Sequence, residues 1–166
     1  MQIPATLYHG STVSNLTSLI PQRTLSKDIF IGNFVFATAD KLLAVMYTAP
    51  KGYAVIMNSD YPKPYIIINA RAISYVESDV PVFIYKMSGM PFKLTPHLEL
   101  EVHEFVSANE VSVDLVESHE SSIEAYVKNG ITIYFVDDDT FKKVILVKQD
   151  KVIMDSLVPY VIHKAG

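Results

Sequence analysis

Leu7-Tyr8-His9-Gly10-Ser11 is the stretch from which the architecture of this chain can be inferred. An apolar residue and an aromatic lead from a strand-like opening into a histidine, a glycine and a hydroxyl. A histidine before glycine at a strand end can turn its ring into a cleft, because a residue without Cβ lets another backbone or a ligand come close. Read locally, the same tripeptide is a strand-end histidine that packs or caps. Two later segments follow in order: Phe36-Ala37-Thr38-Ala39-Asp40 running on to Tyr47, and His103-Glu104-Phe105-Val106.

The chain has 166 residues, which fits one domain spanning 1–166. Hydrophobic residues make up 49% and charged residues 19%, a composition that can build a packed core. The net charge of −4 argues against nucleic-acid binding through a broad basic surface, while leaving room for a local basic cleft. There are no cysteines, which rules out disulfides, a thiolate nucleophile and a cysteine zinc site. No basic segment followed by an apolar run opens the chain, and no apolar stretch is long enough for a membrane span; a cytoplasmic location without membrane attachment is the expectation.

Strand signals dominate. Residues 5–9, 33–37, 53–58, 65–69, 81–87, 98–106, 110–116 and 131–136 are apolar, β-branched or alternating, and turn-rich stretches separate several of them. Helix signals fall at 14–20, at 40–47 with Thr38 or Asp40 as N-cap, and at 121–128 with Asn129-Gly130 as its stop. Residues 141–161 are ambiguous, since Val144-Ile145-Leu146-Val147 suits a strand or a helix. The pattern is α+β. Asp137-Asp138-Asp139 reads as an exposed turn capping the next segment rather than as a cation site.

Three residues carry potential chemistry. His9 is the first. Tyr47 ends the helix at 40–47 and could stack on a flat heterocycle, or serve as a core tyrosine sharing a face with Leu43. Glu104 is the sharpest anomaly. With a period of two, Leu98, Leu100, Val102, Glu104 and Val106 share a face that is apolar but for one carboxylate. Burying an unpaired charge there is costly, so the carboxylate serves a cleft, reaches solvent at an edge or joins a salt bridge. His97, His103, His119 and His163 show no metal-ligand spacing, and no metal is expected. Glycine-rich phosphate loops and a G-x-S-x-G elbow are missing from the sequence.

In order, the pieces resemble the ADP-ribosyltransferase superfamily, in its diphtheria-toxin and poly-ADP-ribose-polymerase branch with a His–Tyr–Glu triad. Tyr8-His9-Gly10-Ser11 is similar to the first-strand motif. Gly32-Asn33-Phe34-Val35-Phe36-Ala37, Thr38-Ala39-Asp40-Lys41 and Tyr47 resemble the second, with the run from Phe36 to Tyr47 about one residue longer. Glu104-Phe105-Val106, then Asn109-Glu110-Val111 and Val113, resemble the third. Glu101 is an alternative acid, three residues earlier on the opposite face. The resemblance covers about 5–116 and leaves 117–166 as a C-terminal extension.

The resemblance implies split antiparallel or mixed β-sheets with short helices, NAD as a substrate, nicotinamide release and ADP-ribosyl transfer to an acceptor. It implies that His9 bonds the adenosine ribose and that the Gly10 backbone holds the nicotinamide amide with Ser11 assisting on the ribose. Tyr47 would stack on the nicotinamide with Tyr53 nearby, and Glu104 would bond the nicotinamide ribose and stabilise an oxocarbenium-like transition state. The acceptor is open, with protein or a small molecule favoured over nucleic acid. The rival expectations are an inactive binding module on the same fold and an unrelated α+β toxin or phage accessory protein.

Overall fold

A short ladder joins two well-paired halves of the largest sheet, and this arrangement creates the main cleft. The structure, a computed structural model, describes residues 2–27, 30–60, 63–94, 104–147 and 151–162. The strands are β1 (Thr6–Ser11), β2 (Ser18–Leu19), β3 (Arg23–Lys27), β4 (Phe30–Thr38), β5 (Val55–Asn58), β6 (Tyr65–Asn69), β7 (Val82–Ser88), β8 (Lys93–Leu94), β9 (Glu104–Ser107), β10 (Val111–Ser112), β11 (Asp114–His119) and β12 (Thr132–Val136). The helices are α1 (Lys41–Met46), α2 (Ala72–Ser78), α3 (Ser122–Lys128), α4 (Asp138–Leu146) and α5 (Lys151–Ser156).

The large sheet runs β11-β7-β1-β4-β9-β8, with β3 also on β4, and all its pairings are antiparallel among the described residues. A smaller sheet runs β12-β6-β5, with β12 parallel and β5 antiparallel to β6. The α+β class expected from sequence is what the chain adopts.

Local chemistry explains the elements. Asp40 caps α1 by accepting from Leu42 N at 2.8 Å, and Thr38 accepts from Asp40 N at 3.1 Å. Ser121 caps α3 through Glu124 N. Asn129 and Gly130, the latter at φ 71°, end α3 as expected. Asp137 caps α4 by accepting from Thr140 N at 2.7 Å, so the acidic triplet is a helix start. Ile66 and Ile68 enter one buried cluster and Ile67 another, so β6 is covered on both faces and reads as a continuous apolar run.

One expectation needs correction. Residues 14–20 do not form a helix; they hold β2, paired with β10. Asn15 sits at φ 57°, outside the right-handed helical region, and the phenol of Tyr85 in β7 holds the approach to β2 by donating to Val13 O at 2.8 Å and accepting from Leu16 N at 3.3 Å. Among the described residues of the ambiguous stretch at 141–161, α4 and α5 make most of it helical. The expected strand at 98–106 is described from Glu104 onward; Glu99, Glu101 and His103 lie outside the described residues, as do His97 and His163.

The C-terminal third is integral to the body. β11 pairs with β7, β12 extends the small sheet, and Ile123, Ala125, Tyr126, Ile131 and Ile133 share a buried cluster with α1 residues Leu43–Met46.

Candidate active site

β1 pairs with β7 along all six of its residues, from Thr6↔Ser88 to Ser11↔Phe83. Its ladder with β4 is the single pair Tyr8↔Thr38. Beyond that pair the two strands separate, and a cleft of about 690 Å³ opens at the gap. A gap between strands is reached from both faces, which is why the consecutive residues Tyr8, His9, Gly10 and Ser11 all line it.

His9 spans the gap. Its Nδ1 lies 2.8 Å from the carbonyl oxygen of Phe36 on β4. A carbonyl only accepts, so Nδ1 carries the proton and Nε2 is left as an acceptor in the neutral ring. Burial lowers the imidazole pKa, against the opposing effect of the Phe36 hydrogen bond, so the ring is neutral at pH 7.

Glu104 reaches the cleft by register. Tyr8 faces Thr38 on β4, and Thr38 faces Glu104 on β9, which makes one row across three strands. Paired antiparallel residues share a face, so Glu104 stands on the Thr38 side of the gap. It is half-buried, and Arg23 Nη1 lies 3.8 Å from its Oε1. Of the three fates open to this carboxylate, the structure combines two: a place in the cleft wall and an ion pair.

Tyr47 is delivered by α1. Gly10 allows the helix to approach: a Cβ on residue 10 would lie 2.1 Å from the Ala44 carbonyl oxygen. At its far end α1 is held by buried phenols. Tyr126 donates to Met46 O at 3.3 Å, and Tyr75 bonds both Tyr126 and Ser122. Tyr47, next after Met46, therefore stands at a fixed place on the cleft wall while its ring stays partly exposed. Burial pushes its phenol pKa up, the nearby Glu104 carboxylate adds to the shift and Arg23 offsets part of it; the result is about 12.

The structure thus brings His9, Gly10, Ser11, Tyr47 and Glu104 to one cleft. It does not bring Tyr53 there. The Tyr53 hydroxyl bonds Ser74 O and Ser78 Oγ, and its ring packs on Tyr75 with centroids 5.1 Å apart, so it belongs to the α2 surface. Sequence reading missed Arg23 and Lys51 as cleft residues, and the apolar wall made by Val13, Leu16, Leu19 and Ile20. Arg23 lies over the Phe36 ring, 4.3 Å from its centroid. No motif marks these residues; their position follows from β3 folding back onto β4.

Among the described residues no group of three or more His, Asp or Glu side chains is arranged to hold a metal ion, and no helix is long and apolar enough to cross a membrane. Against protein-family models, curated proteins and solved structures, the chain matches none.

Proposed function

We propose that the protein cleaves NAD at the nicotinamide–ribose bond and transfers ADP-ribose to an acceptor. The observation that carries this reading is the convergence of His9, Tyr47 and Glu104, from β1, α1 and β9, on a single cleft. The cleft has the size of a small-ligand site, and its apolar walls with a few polar groups suit a dinucleotide.

In this reading the neutral His9 ring accepts a hydrogen bond from an adenosine-ribose hydroxyl. The edge of β1 beyond Tyr8, which β4 leaves open, offers the Gly10 backbone to the nicotinamide amide, with the Ser11 hydroxyl beside it. Tyr47 supplies the aromatic face. Its phenol stays protonated across the physiological range, so Tyr47 adds no negative charge against the approach of a diphosphate. The C1′–N bond breaks with its electron pair passing to the pyridinium nitrogen, and nicotinamide leaves neutral. The ribosyl carbon is left oxocarbenium-like, and the Glu104 carboxylate stabilises that developing positive charge. An oxygen or nitrogen nucleophile of the acceptor then forms the new bond at C1′ and loses its proton.

The test is nicotinamide release from NAD by wild type and Glu104→Gln, read by chromatography. The variant is isosteric, and an ion pair whose cation is as exposed as Arg23 contributes at most about 1 kcal/mol, so its melting temperature should stay close to wild type. Its release rate should fall by about a hundredfold or more. Equal rates in the two proteins would refute the role of Glu104. The ion pair also favours a second reading, a binding module whose carboxylate is neutralised; NAD-induced thermal stabilisation without any release from wild type would select it.

A further inference from the structure

Arg23 opens β3 and is paired with Phe34 of β4. Residues paired across antiparallel strands, or two apart along one, share a face, so Arg23 stands on the face that carries Phe34, Phe36 and Thr38, and with them Glu104. Its guanidinium is laid on the Phe36 ring and reaches Glu104 at 3.8 Å, yet its side chain is 66% exposed. The Glu104 side chain is 27% exposed. An exposed, flexible cation holds its place weakly. The less exposed carboxylate is fixed by its strand. The pair is therefore one that a competing anion can divide.

The chemistry proposed for the cleft gives this pair a consequence. A carboxylate that must stabilise a developing cation is hindered by a guanidinium already beside it, because the two positive charges compete for one anion. A diphosphate offers that guanidinium more charge and a bidentate geometry. Lys51 is a second cation in the lining, and Glu104 is the sole carboxylate among the described lining residues. Once Arg23 neutralises Glu104, the cleft favours an anion.

We propose that Arg23 is a movable counter-ion of Glu104. A phosphate-bearing ligand draws it off, which relieves the carboxylate of that counter-charge and selects nicotinamide ribosides that carry phosphate over those that lack it. The inference rests on the reading of the cleft as a nicotinamide–ribose cleavage site.

The experiment compares nicotinamide release from NAD and from nicotinamide riboside, with water as acceptor. In both, the C1′–N bond breaks with its electrons leaving on nicotinamide, and water bonds to C1′ and gives its proton to the buffer. Wild type, Arg23→Gln and Arg23→Lys are measured, and their melting temperatures confirm folding. Arg23→Gln should raise the KM for NAD about fivefold without lowering kcat. On the riboside it should release nicotinamide faster than wild type. Arg23→Lys should fall between the two. An unchanged KM for NAD, a parallel fall of kcat on both substrates, or an unchanged riboside rate in Arg23→Gln would overturn the inference while leaving the cleavage reading intact. Release from neither substrate by wild type would overturn both.

Discussion

Tyr47 shows how much one side chain's place depends on others. Its phenol, pushed up to about 12 by burial and by Glu104, does not ionise near neutrality, so it offers a ring and a donor. Tyr47→Phe should therefore keep most of the NAD affinity. Tyr47→Ala should weaken binding by about three- to tenfold through loss of stacking. A calorimetric titration of both variants checks this; equal weakening in the two would place the contribution in the hydroxyl instead. Glu104 was legible because it interrupts an apolar strand face, and a lone carboxylate there demands an explanation. Arg23 was not legible. It is one arginine in a polar stretch, and its significance comes only from the strand pairing that lays it over Phe36. Tyr53 misled for the converse reason: an aromatic close in sequence to Tyr47 was turned away by hydrogen bonds to α2.

At the scale of elements, the seat of α1 on β1 is the contact on which the site depends. The atom that a side chain at position 10 would meet is a helix backbone oxygen, which cannot rotate aside. Gly10→Ala should therefore cost about 1–3 kcal/mol by overpacking and also displace Tyr47. Denaturant unfolding together with an NAD titration would show both effects, and an unaltered midpoint would contradict the close approach. Gly32, at φ 138°, serves a different need. It stands opposite Leu25 of β3 in a conformation that L side chains rarely adopt, so a side chain there would strain the backbone. Elements with strong local determinants were readable: α1 and α3 from their caps, and β6 from three consecutive isoleucines that two clusters bury. The segment at 14–20 was not, because its apolar spacing suits a helix while Val111 and Ser112, far away in sequence, pair with it as a strand. β10 and β11 were expected as one strand, and only tertiary pairing shows that they serve different sheets.

At the scale of the whole molecule, a polar brace ties the site to the opposite end of the large sheet. Glu117 on β11 accepts from Lys41 at the start of α1, from Asn129 at the end of α3 at 3.1 Å, and pairs with His119 at 3.1 Å. Burial works against its charge, but these hydrogen bonds prevail and bring its carboxyl down to about 2. A carboxylate depressed in the folded state adds stability above its unfolded value and loses it as pH falls. The window is from about 4.5 down to about 2, and the contribution is at most about 3 kcal/mol. Glu117→Gln should flatten the acid limb of a melting-temperature profile across that window; profiles of identical shape would refute the brace. His9 acts in the same direction at higher pH. Burial lowers its pKa, so its neutral ring stabilises the fold above about 6.5, and this contribution declines as pH drops below that value.

The lone Tyr8↔Thr38 rung makes the large sheet two rafts lashed at one corner, β11-β7-β1 on one side and β4-β9-β8 on the other. Beneath them lies a shared keel of side chains, with Leu7, Tyr85 and Met87 from the first raft meeting Val35, Ala37 and Phe105 from the second. Stiffness between the rafts comes from that keel and not from backbone rungs. Any molecule lodged between them supplies the lashings the chain itself omits, so occupancy of the crevice and rigidity of the entire slab rise together.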